Sequence, residues 1–238
     1  MKWFLILVAA LSLLAAAILA RADEGESDPL SGYNHKMFES NDKFDAYVLT
    51  PVAKGWEKIT PLRVRTSVSN FFGNLRFPIY TVNDFLQGKP NDGCSDIVRF
   101  AINTTVGVAG FFDPATGWGI VKHDVDFGQT LGVWGVPTGP YIVLPLLGPS
   151  DLRDTGGLVV DSVLAVTPFF VDGFILIGAR VVTTVNERSL VREKVENAKL
   201  STVDYYAAVR SAYLQHRHAM VHGADTNEEK QQLYYPAQ

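Results

Sequence analysis

The chain has 238 residues, 47% of them hydrophobic, and a formal net charge of −4. This length fits one domain with a sizeable core. The acidic balance, without a long basic block, argues against nucleic acid as a partner, because phosphate binding needs clustered Lys and Arg. The single cysteine, Cys94, cannot close a disulfide within the chain. Since free cysteines are often buried, we expect Cys94 to be a small buried residue rather than an exposed thiol.

The N-terminus has the order of a secretory signal. Lys2 gives a short positive start, residues 4–19 carry no charge, and Ala20 and Ala22 supply the small residues that a signal peptidase reads. A retained membrane anchor is the alternative, but the run is shorter than the roughly 18 apolar residues expected of a span. We therefore predict an exported protein with three segments: a signal peptide at residues 1–22, a helical domain at residues 23–222 and a polar tail at residues 223–238.

The N-terminal half of this domain is predicted to be helical. Residues 34–48 place apolar side chains at steps of three and four residues on an otherwise polar helix. Pro51 and Pro61 bracket a second, short helical unit, and residues 97–105 form a third. The turn-forming residues at 114–119 predict a loop.

Charge is sparse in the middle of the chain, between Thr130 and Thr184. Apolar segments at residues 131–136, 141–147 and 158–185 are each interrupted by Gly, Pro or Asp before they reach spanning length. A helix that is apolar nearly all round lies deep in a core or in contact with lipid. Three such segments are more than a chain of this size is expected to bury. We predict membrane contact without a simple span.

Two more helices are predicted at the C-terminal end. Asn186 is a candidate N-cap for a polar helix that ends at Lys199, and residues 201–204 resemble a capping box that opens a helix to about His222. Strand evidence is thin, because alternation of apolar and polar residues is not sustained, although residues 181–185 could form one short strand. The predicted fold class is therefore mainly α.

The acidic motifs do not support an enzyme. Residues 126–128 copy the Asp-Phe-Gly tripeptide of protein kinases, but the catalytic loop and the Gly-rich loop of a kinase are missing. Asp113, Asp124 and Asp126 could be imagined as an acid–base pair, although loop acids beside Gly and Pro are usually turn formers. The sequence also lacks a nucleophile elbow, a P-loop and a dinucleotide fingerprint. We therefore expect no catalytic residue and no cofactor.

Three histidines near the C-terminus raise the question of a metal site. His218 and His222 share one face of the predicted helix, but His216 and His218 point about 200° apart. A solvated or interfacial role is favoured over metal binding, because the Glu of the zinc-protease pattern is also absent from the sequence. The prediction is that the chain holds no metal ion.

A series of motifs in a fixed order resembles one known family. The motifs are Asp28-Pro29-Leu30-Ser31-Gly32-Tyr33-Asn34, Asn41-Asp42 and residues 70–75, 99–103, 126–132, 139–145, 148–150, 153–154 and 205–213. Through this series, which covers residues 28 to about 220, the chain is similar to the MlaA/VacJ family. Chance agreement over so many ordered motifs is negligible.

The resemblance implies an outer-membrane protein that extracts misplaced phospholipid from the outer leaflet and passes it to a periplasmic lipid carrier protein. It also implies a ring-like bundle of amphipathic helices, embedded in one membrane leaflet around an amphipathic channel, with a trimeric porin as companion. Family members often carry an acylated cysteine directly after the signal core, whereas residues 19–22 contain none. Anchoring is therefore expected from apolar helices or from an uncleaved signal.

A lipid conduit needs an apolar wall beside a polar groove, so polar residues inside the family-like motifs are candidates for the lipid path or for shaping the channel. These candidates are Asn41, Asp42, Asn70, Asn74, Arg99, Asn103, Arg153 and Asp154. For the asparagines the alternative is loop and helix capping, and for Arg153 with Asp154 it is a structural ion pair. Two rival functions are a soluble periplasmic lipid-binding or scaffold protein and a lipid hydrolase, which the motifs do not support.

Overall fold

The computed structural model describes residues 28–165 and 171–222. The predicted signal peptide at residues 1–22 and the predicted tail at residues 223–238 lie outside the described residues. The elements in chain order are α1 (Ser31–Phe44), a π-helical turn (Asp45–Leu49), α2 (Thr50–Ile59), α3 (Leu62–Leu75), α4 (Phe77–Leu86), α5 (Pro90–Thr105), the short α6 (Pro114–Gly117), α7 (Phe127–Val133), β1 (Tyr141–Leu144), β2 (Gly148–Asp151), α8 (Leu152–Leu164), α9 (Gly173–Ser201) and α10 (Tyr205–His222). The prediction of a mainly helical fold is confirmed.

Prolines mark the starts of three helices. Pro78, Pro90 and Pro114 lie in the first turns of α4, α5 and α6, where the first N–H groups have no partner within the helix and proline fits without loss. The helix predicted at residues 34–48 is observed as α1 with the π-helical turn, and the second predicted unit as α2. The helix predicted at residues 97–105 is observed as α5, which begins earlier, at Pro90.

Helix α5 turns its polar face inward. At steps of three and four residues it buries Gly93, Asp96, Arg99 and Asn103. The apolar side chains of Ile97 and Val98 are exposed instead. Cys94 is also exposed, so the prediction of a buried cysteine is wrong. The expectation assumed an apolar interior, whereas the interior here is lined by polar side chains.

A β-hairpin lies between the two halves of the chain. Strands β1 and β2 pair antiparallel, with Tyr141 opposite Asp151 and Leu144 opposite Gly148. The turn between them requires left-handed backbone at Leu146, with φ of 61°, and at Gly148, with φ of 84°. The sequence analysis did not predict this hairpin, because four-residue strands are too short to show a sustained alternation.

Helix α9 is one continuous helix of 29 residues. Asp172 caps its N-terminus by accepting a hydrogen bond from Phe174 N at 2.9 Å. The predicted N-cap, Asn186, lies in the middle of α9 and is fully buried, so that prediction is wrong, and residues 181–185 are helical rather than extended. At about 1.5 Å per residue α9 is roughly 43 Å long. Its C-terminal half is charged, and within the two described ranges no helix combines the length and the apolarity needed to cross a bilayer.

The helix predicted to run to about His222 is observed as α10, but it begins at Tyr205 and the capping box predicted at residues 201–204 does not form. The carboxylate of Asp204 accepts a hydrogen bond from Ala207 N at 2.9 Å, so Asp204 caps α10 and Ser201, the predicted cap, instead ends α9. His218 and His222 stack on one face of α10, with ring centroids 4.1 Å apart, as their spacing predicted.

The interior of the fold is rich in polar side chains. Among the largest side chains that are fully buried, one is aliphatic and the others are polar: Val143, Gln129, Asn34, Asn83, Asn186, Thr130, Asp84 and Asp151. Buried polar groups need hydrogen-bond partners, which in this fold come largely from other side chains and from loop backbone. These bonds, more than apolar packing, specify how the helices meet.

The exterior is correspondingly apolar. Exposed large side chains concentrate on α8 and on the first half of α9: Leu158, Val159, Val163, Phe174, Ile175, Ile177, Val181 and Val182. Phe174 is 86% exposed. Exposed apolar side chains grouped on a helix in this way mark contact with a partner or with a membrane.

Candidate functional site

Two asparagines on α1 hold the hairpin against the helix. Asn34 donates to Tyr141 O at 3.0 Å and accepts from Val143 N at 2.9 Å. Asn41, two turns further along the same face, donates to Leu144 O and accepts from Leu146 N, both at 2.9 Å. The predicted site residue Asn41 is thus neither a loop residue nor a cap, and it fixes the position of the hairpin turn.

Charged pairs join α1 and its π-helical turn to α9. Arg188 donates to both carboxylate oxygens of Asp45, at 2.6 and 2.9 Å, and Lys199 forms ion pairs with Asp42 and Asp45. Burial alone would raise the pKa of Asp45, but Arg188 and then Lys199 outweigh it and hold that pKa below its usual value. The predicted site residue Asp42 therefore lies on the rim of this α1–α9 contact.

A cleft of about 690 Å³ opens beside this contact, between α1, the π-helical turn, the hairpin turn and α9. Apolar residues from all of these elements and from α2 form its apolar wall: Phe44, Val48, Leu49, Val52, Leu146, Leu147, Val181 and Val185. The polar lining residues are Asn41, Asp45, Arg180, Thr184 and Glu187. A cleft of this volume is in the range that binds small organic molecules. Its combination of an apolar wall with a polar edge suits an amphipathic ligand.

Arg180 is the cationic side chain at this edge. It is exposed, and among the residues that the structure describes no carboxylate lies within ion-pair distance of its guanidinium. The neighbouring acid Asp45 is already neutralised by Arg188. Arg180 is thus available to an anionic group that enters the cleft, and an arginine fork matches the geometry of phosphate oxygens.

Four other predicted site residues meet around a second, smaller cavity of about 100 Å³: Asn70, Asn74, Arg99 and Asn103. Arg99 donates to both carboxylate oxygens of Asp113, at 3.0 and 2.8 Å, and to Ile120 O. Asn103 donates to Asp113 at 2.9 Å and accepts from Ala115 N at 3.2 Å. Because the polar groups of Arg99 and Asn103 are bonded to protein atoms, these two residues fasten the loop around α6 to α5.

The two remaining asparagines act in the same way on neighbouring segments. Asn74 donates to Thr104 Oγ1 at 3.0 Å, and Asn70 makes a long contact of 3.4 Å to Phe111 O. Asn74 therefore ties α3 to the end of α5, and Asn70 ties α3 to the turn that follows α5. The segment predicted as a loop at residues 114–119 contains α6, whose N-cap is Asp113.

Asp113→Asn is expected to destabilise the protein by roughly 2–3 kcal/mol, because it leaves the buried guanidinium of Arg99 without its counter-charge. Burial alone would raise the pKa of Asp113, but bonds from Thr116, Arg99 and Asn103 hold it below its usual value. The ionised carboxylate therefore adds stability above pH of about 4, and this contribution is lost as the pH falls through the lowered pKa. Urea unfolding of the purified protein would measure both effects.

A matched control for this variant is Asp172→Asn. Asp172 is also an N-cap, exposed at the start of α9, and asparagine caps a helix as well as aspartate does. We expect a change within about 0.5 kcal/mol for this control. Equal destabilisation by the two variants would contradict the role given to the Arg99–Asp113 pair.

Arg153 and Asp154 lie in a third, buried cluster with α10. Arg153 Nε donates to Asp154 Oδ1 at 2.9 Å, and Tyr213 Oη donates to Asp154 Oδ2 at 2.6 Å. Arg217 forms an ion pair with Asp154 and donates to Asp126 at 2.7 and 2.9 Å. These contacts are those of a structural ion pair, which was the alternative to a role of Arg153 and Asp154 in the lipid path.

Close helix packing accompanies this cluster. Gly128 on α7 faces Gly157 on α8, and a Cβ at either position would overlap the other helix. Asp151 caps α8 by accepting from Asp154 N at 2.7 Å, and burial raises the pKa of Asp151 to about 7. The sequence analysis did not select Tyr213 and Arg217 as site residues, because their partners Asp154 and Asp126 lie on distant segments of the chain.

The three acids considered for acid–base chemistry do not converge on one site. Asp113 caps α6 and pairs with Arg99, whereas Asp126 caps α7 and pairs with Arg217. Asp124 forms an ion pair with Lys122, with 3.8 Å between Asp124 Oδ2 and Lys122 Nζ. Their expected role as turn formers is confirmed for Asp113 and Asp126, because both side chains accept from backbone N–H groups.

Comparisons with known proteins agree with the motifs found in the sequence. A family described as MlaA lipoprotein matches residues 26–220. The intermembrane phospholipid transport system lipoprotein MlaA of Escherichia coli is 34% identical over 220 residues, which cover 90% of this chain and 86% of that protein. The protein of the same description from Haemophilus influenzae is 32% identical over 98% of this chain and 96% of its own length.

A solved structure supports the same assignment. It was reported as a structural basis for maintenance of bacterial outer membrane lipid asymmetry, and it superposes with a TM-score of 0.73 at 34% sequence identity. The match covers 82% of this chain and all of the solved chain. The chain therefore belongs to the MlaA lipoprotein family.

Proposed function

We propose that this protein is the outer-membrane component of an intermembrane phospholipid transport system. It removes phospholipid from the outer leaflet through an amphipathic channel and passes it to a periplasmic carrier protein, which maintains the lipid asymmetry of the membrane. Relatives in E. coli and H. influenzae carry the transport description, and the similar solved structure concerns lipid asymmetry. The observation that carries the proposal is the amphipathic cleft beside an apolar exterior.

The cleft supports transport without bond chemistry. A phospholipid has two apolar tails and a charged head group, and an unpaired ion in hydrocarbon loses most of its hydration. The apolar wall that includes Val48 and Val181 supplies contact for a tail, while Arg180 and Thr184 at the polar edge offer partners to a head group. These contacts lower the barrier to movement and require no catalytic residue, so we propose a transporter rather than an enzyme.

Membrane embedding follows from the exposed side chains of α8 and α9. Their apolar faces enter one leaflet as interfacial elements do, without crossing the bilayer, and the channel runs through a ring-like arrangement of the helices. Cys94 lies on α5, far along the chain from the signal core, so we propose that anchoring depends on these faces rather than on acylation. A trimeric porin and a soluble lipid carrier complete the proposed system.

The test is complementation of a bacterial strain that lacks its own protein of this family. We expect the full chain to reduce phospholipid exposed on the cell surface to the level of the parent strain, and to remain with the outer membrane through carbonate washing. The Cys94→Ser variant should behave identically, since the thiol plays no part in anchoring. Recovery of the chain in the soluble periplasmic fraction would favour the rival soluble lipid-binding or scaffold protein and contradict the proposal.

A further inference from the structure

We propose that Asp84, Asp96 and His123 form a binding site for a divalent transition-metal ion, Zn²⁺ or Mn²⁺. The site joins three parts of the fold that are separate in sequence: α4, α5 and the segment that leads into α7. The sequence analysis did not predict it, because these residues are spread over forty positions without a recognisable ligand spacing.

The geometry is that of a nearly assembled ligand set. One ligand atom from each of the three side chains lies within 4.8 Å of the other two, and His123 Nδ1 is 3.1 Å from Asp96 Oδ1. In a tetrahedral zinc site, metal–ligand distances of about 2.1 Å put neighbouring ligand atoms about 3.4 Å apart. Small side-chain rotations therefore suffice to close the site on an ion. Asp92, whose Oδ1 lies 3.7 Å from His123 Nε2, flanks the imidazole.

The second observation is that three carboxylate oxygens of Asp84 and Asp96 have no hydrogen-bond donor among the described residues. Asp84 is fully buried, and neither of its oxygens accepts a hydrogen bond from any residue in the ranges 28–165 and 171–222. Asp96 is 4% exposed, and its Oδ2 is likewise without a donor in that part of the chain. A buried carboxylate without a donor or a counter-ion is costly. A cation between the two carboxylates removes this cost. The other buried acids among the described residues have partners already: Asp154 pairs with Arg217, and Asp151 caps a helix.

The ligand atoms, one imidazole nitrogen and two carboxylate oxygens, indicate which class of ion fits the site. Calcium takes six to eight oxygen ligands, and magnesium keeps several waters in an octahedral shell, so neither matches a site with an imidazole and two carboxylates. Imidazole suits zinc and other first-row transition metals, and carboxylate also suits manganese. Bound water supplies the remaining coordination positions. The ion acts structurally, because it fastens α4 to α5 and both to the chain entering α7.

The experiment uses the full chain purified in detergent, stripped of metal with a chelator, in a Cys94→Ser background that removes the exposed thiol as a zinc ligand. Calorimetric titration with ZnCl₂ and thermal melting with and without Zn²⁺ are the readouts. We expect one ion per chain and a melting temperature that rises with the zinc concentration, as ligand linkage requires. In Asp84→Asn and in His123→Gln, the affinity is expected to fall by more than about 100-fold.

Two controls make the result specific. His222→Ala removes the exposed pair of stacked histidines on α10, which is another place where zinc could bind, and this variant should keep the full affinity. Because Asp84→Asn alters a fully buried group, the half-buried His123→Gln serves as the second variant, with helical content checked by circular dichroism. Unchanged zinc affinity in both ligand variants would overturn the proposal. The proposal would also be overturned if the Cys94→Ser protein bound neither Zn²⁺ nor Mn²⁺. Binding of Mn²⁺ is followed by electron paramagnetic resonance. Without a metal ion, Asp84 and Asp96 would share a proton instead.

Discussion

Val181→Trp is expected to abolish most phospholipid clearance while leaving the fold intact. Val181 lines the cleft from α9 and is 57% exposed, so an indole at this position projects into the cleft without overpacking the interior. The indole then fills the space that a phospholipid tail needs in order to pass along the apolar wall. Surface-exposed phospholipid in the complemented strain, at matched protein level, measures the loss, and the melting temperature of the purified variant checks the fold.

The matched control is Val182→Trp. This residue is the next along the same helix and is also exposed, but it points about 100° away from Val181. It adds the same bulk and the same apolar surface to α9 outside the cleft. Clearance is expected to persist in this control. Equal loss in both variants would indicate that the surface of α9 matters rather than the cleft, and clearance by both would show that lipid takes another path.

Helices with regular apolar spacing could be predicted from the sequence, and helices with a polar inner face could not. The periodicity that predicted α1 and α10 is a local property of the chain. In α5 the residues that face inward are Asp96, Arg99 and Asn103, and sequence reasoning assigns such residues to the solvent side. Only their partners, which come from distant segments, show that this face is buried.

The same limitation applies to the candidate site. Asn41 and Arg99 were chosen as polar residues inside the family-like motifs, but their contacts could not be derived, because each depends on a loop more than ten residues away. The cleft depends on the pairing of the hairpin, which brings Leu147 near α9. Arg180 lies within an apolar segment and belongs to none of the family-like motifs. The proposed contact of Arg180 with a head group follows from the position of Arg180 in the cleft.

Glycine positions illustrate why a substitution chosen from sequence alone tests the wrong property. Gly107→Trp, which adds bulk just after the motif at residues 99–103, is one example. A Cβ at Gly107 would overlap the backbone oxygens of Asn103 and Phe112, so this variant is expected to disrupt the turn after α5. Asn41→Leu would similarly release the hairpin turn from α1. Both changes would alter the fold as well as the cleft, whereas Val181→Trp separates the two.

Arg217→Met is expected to cause the largest loss of stability, about 3–5 kcal/mol, because it leaves Asp126 and Asp154 close together and without their shared cation. Arg217 is 8% exposed and bonds to both carboxylates. For a domain of this size, each kcal/mol lowers the melting temperature by about 2–4 °C, so a decrease of roughly 6–20 °C should be seen by circular dichroism. Lys43→Met, which removes an exposed pair with Glu39, should leave the melting temperature almost unchanged, because solvent screens such a pair.

The pH dependence of the same variant separates the ion pair from simple packing. Burial alone would raise the pKa of Asp154, but Arg217, followed by Tyr213 and Arg153, holds it below its usual value. A lowered carboxylate pKa gives stability that is fully present above the unfolded pKa of about 4 and is lost as the pH falls through the folded pKa. The unmodified chain should therefore lose stability on acidification below pH of about 4 more steeply than Arg217→Met does. Parallel acid profiles for the two proteins would mean that Arg217 contributes through the packing of its aliphatic stem against α7 and α8, and not through its charge.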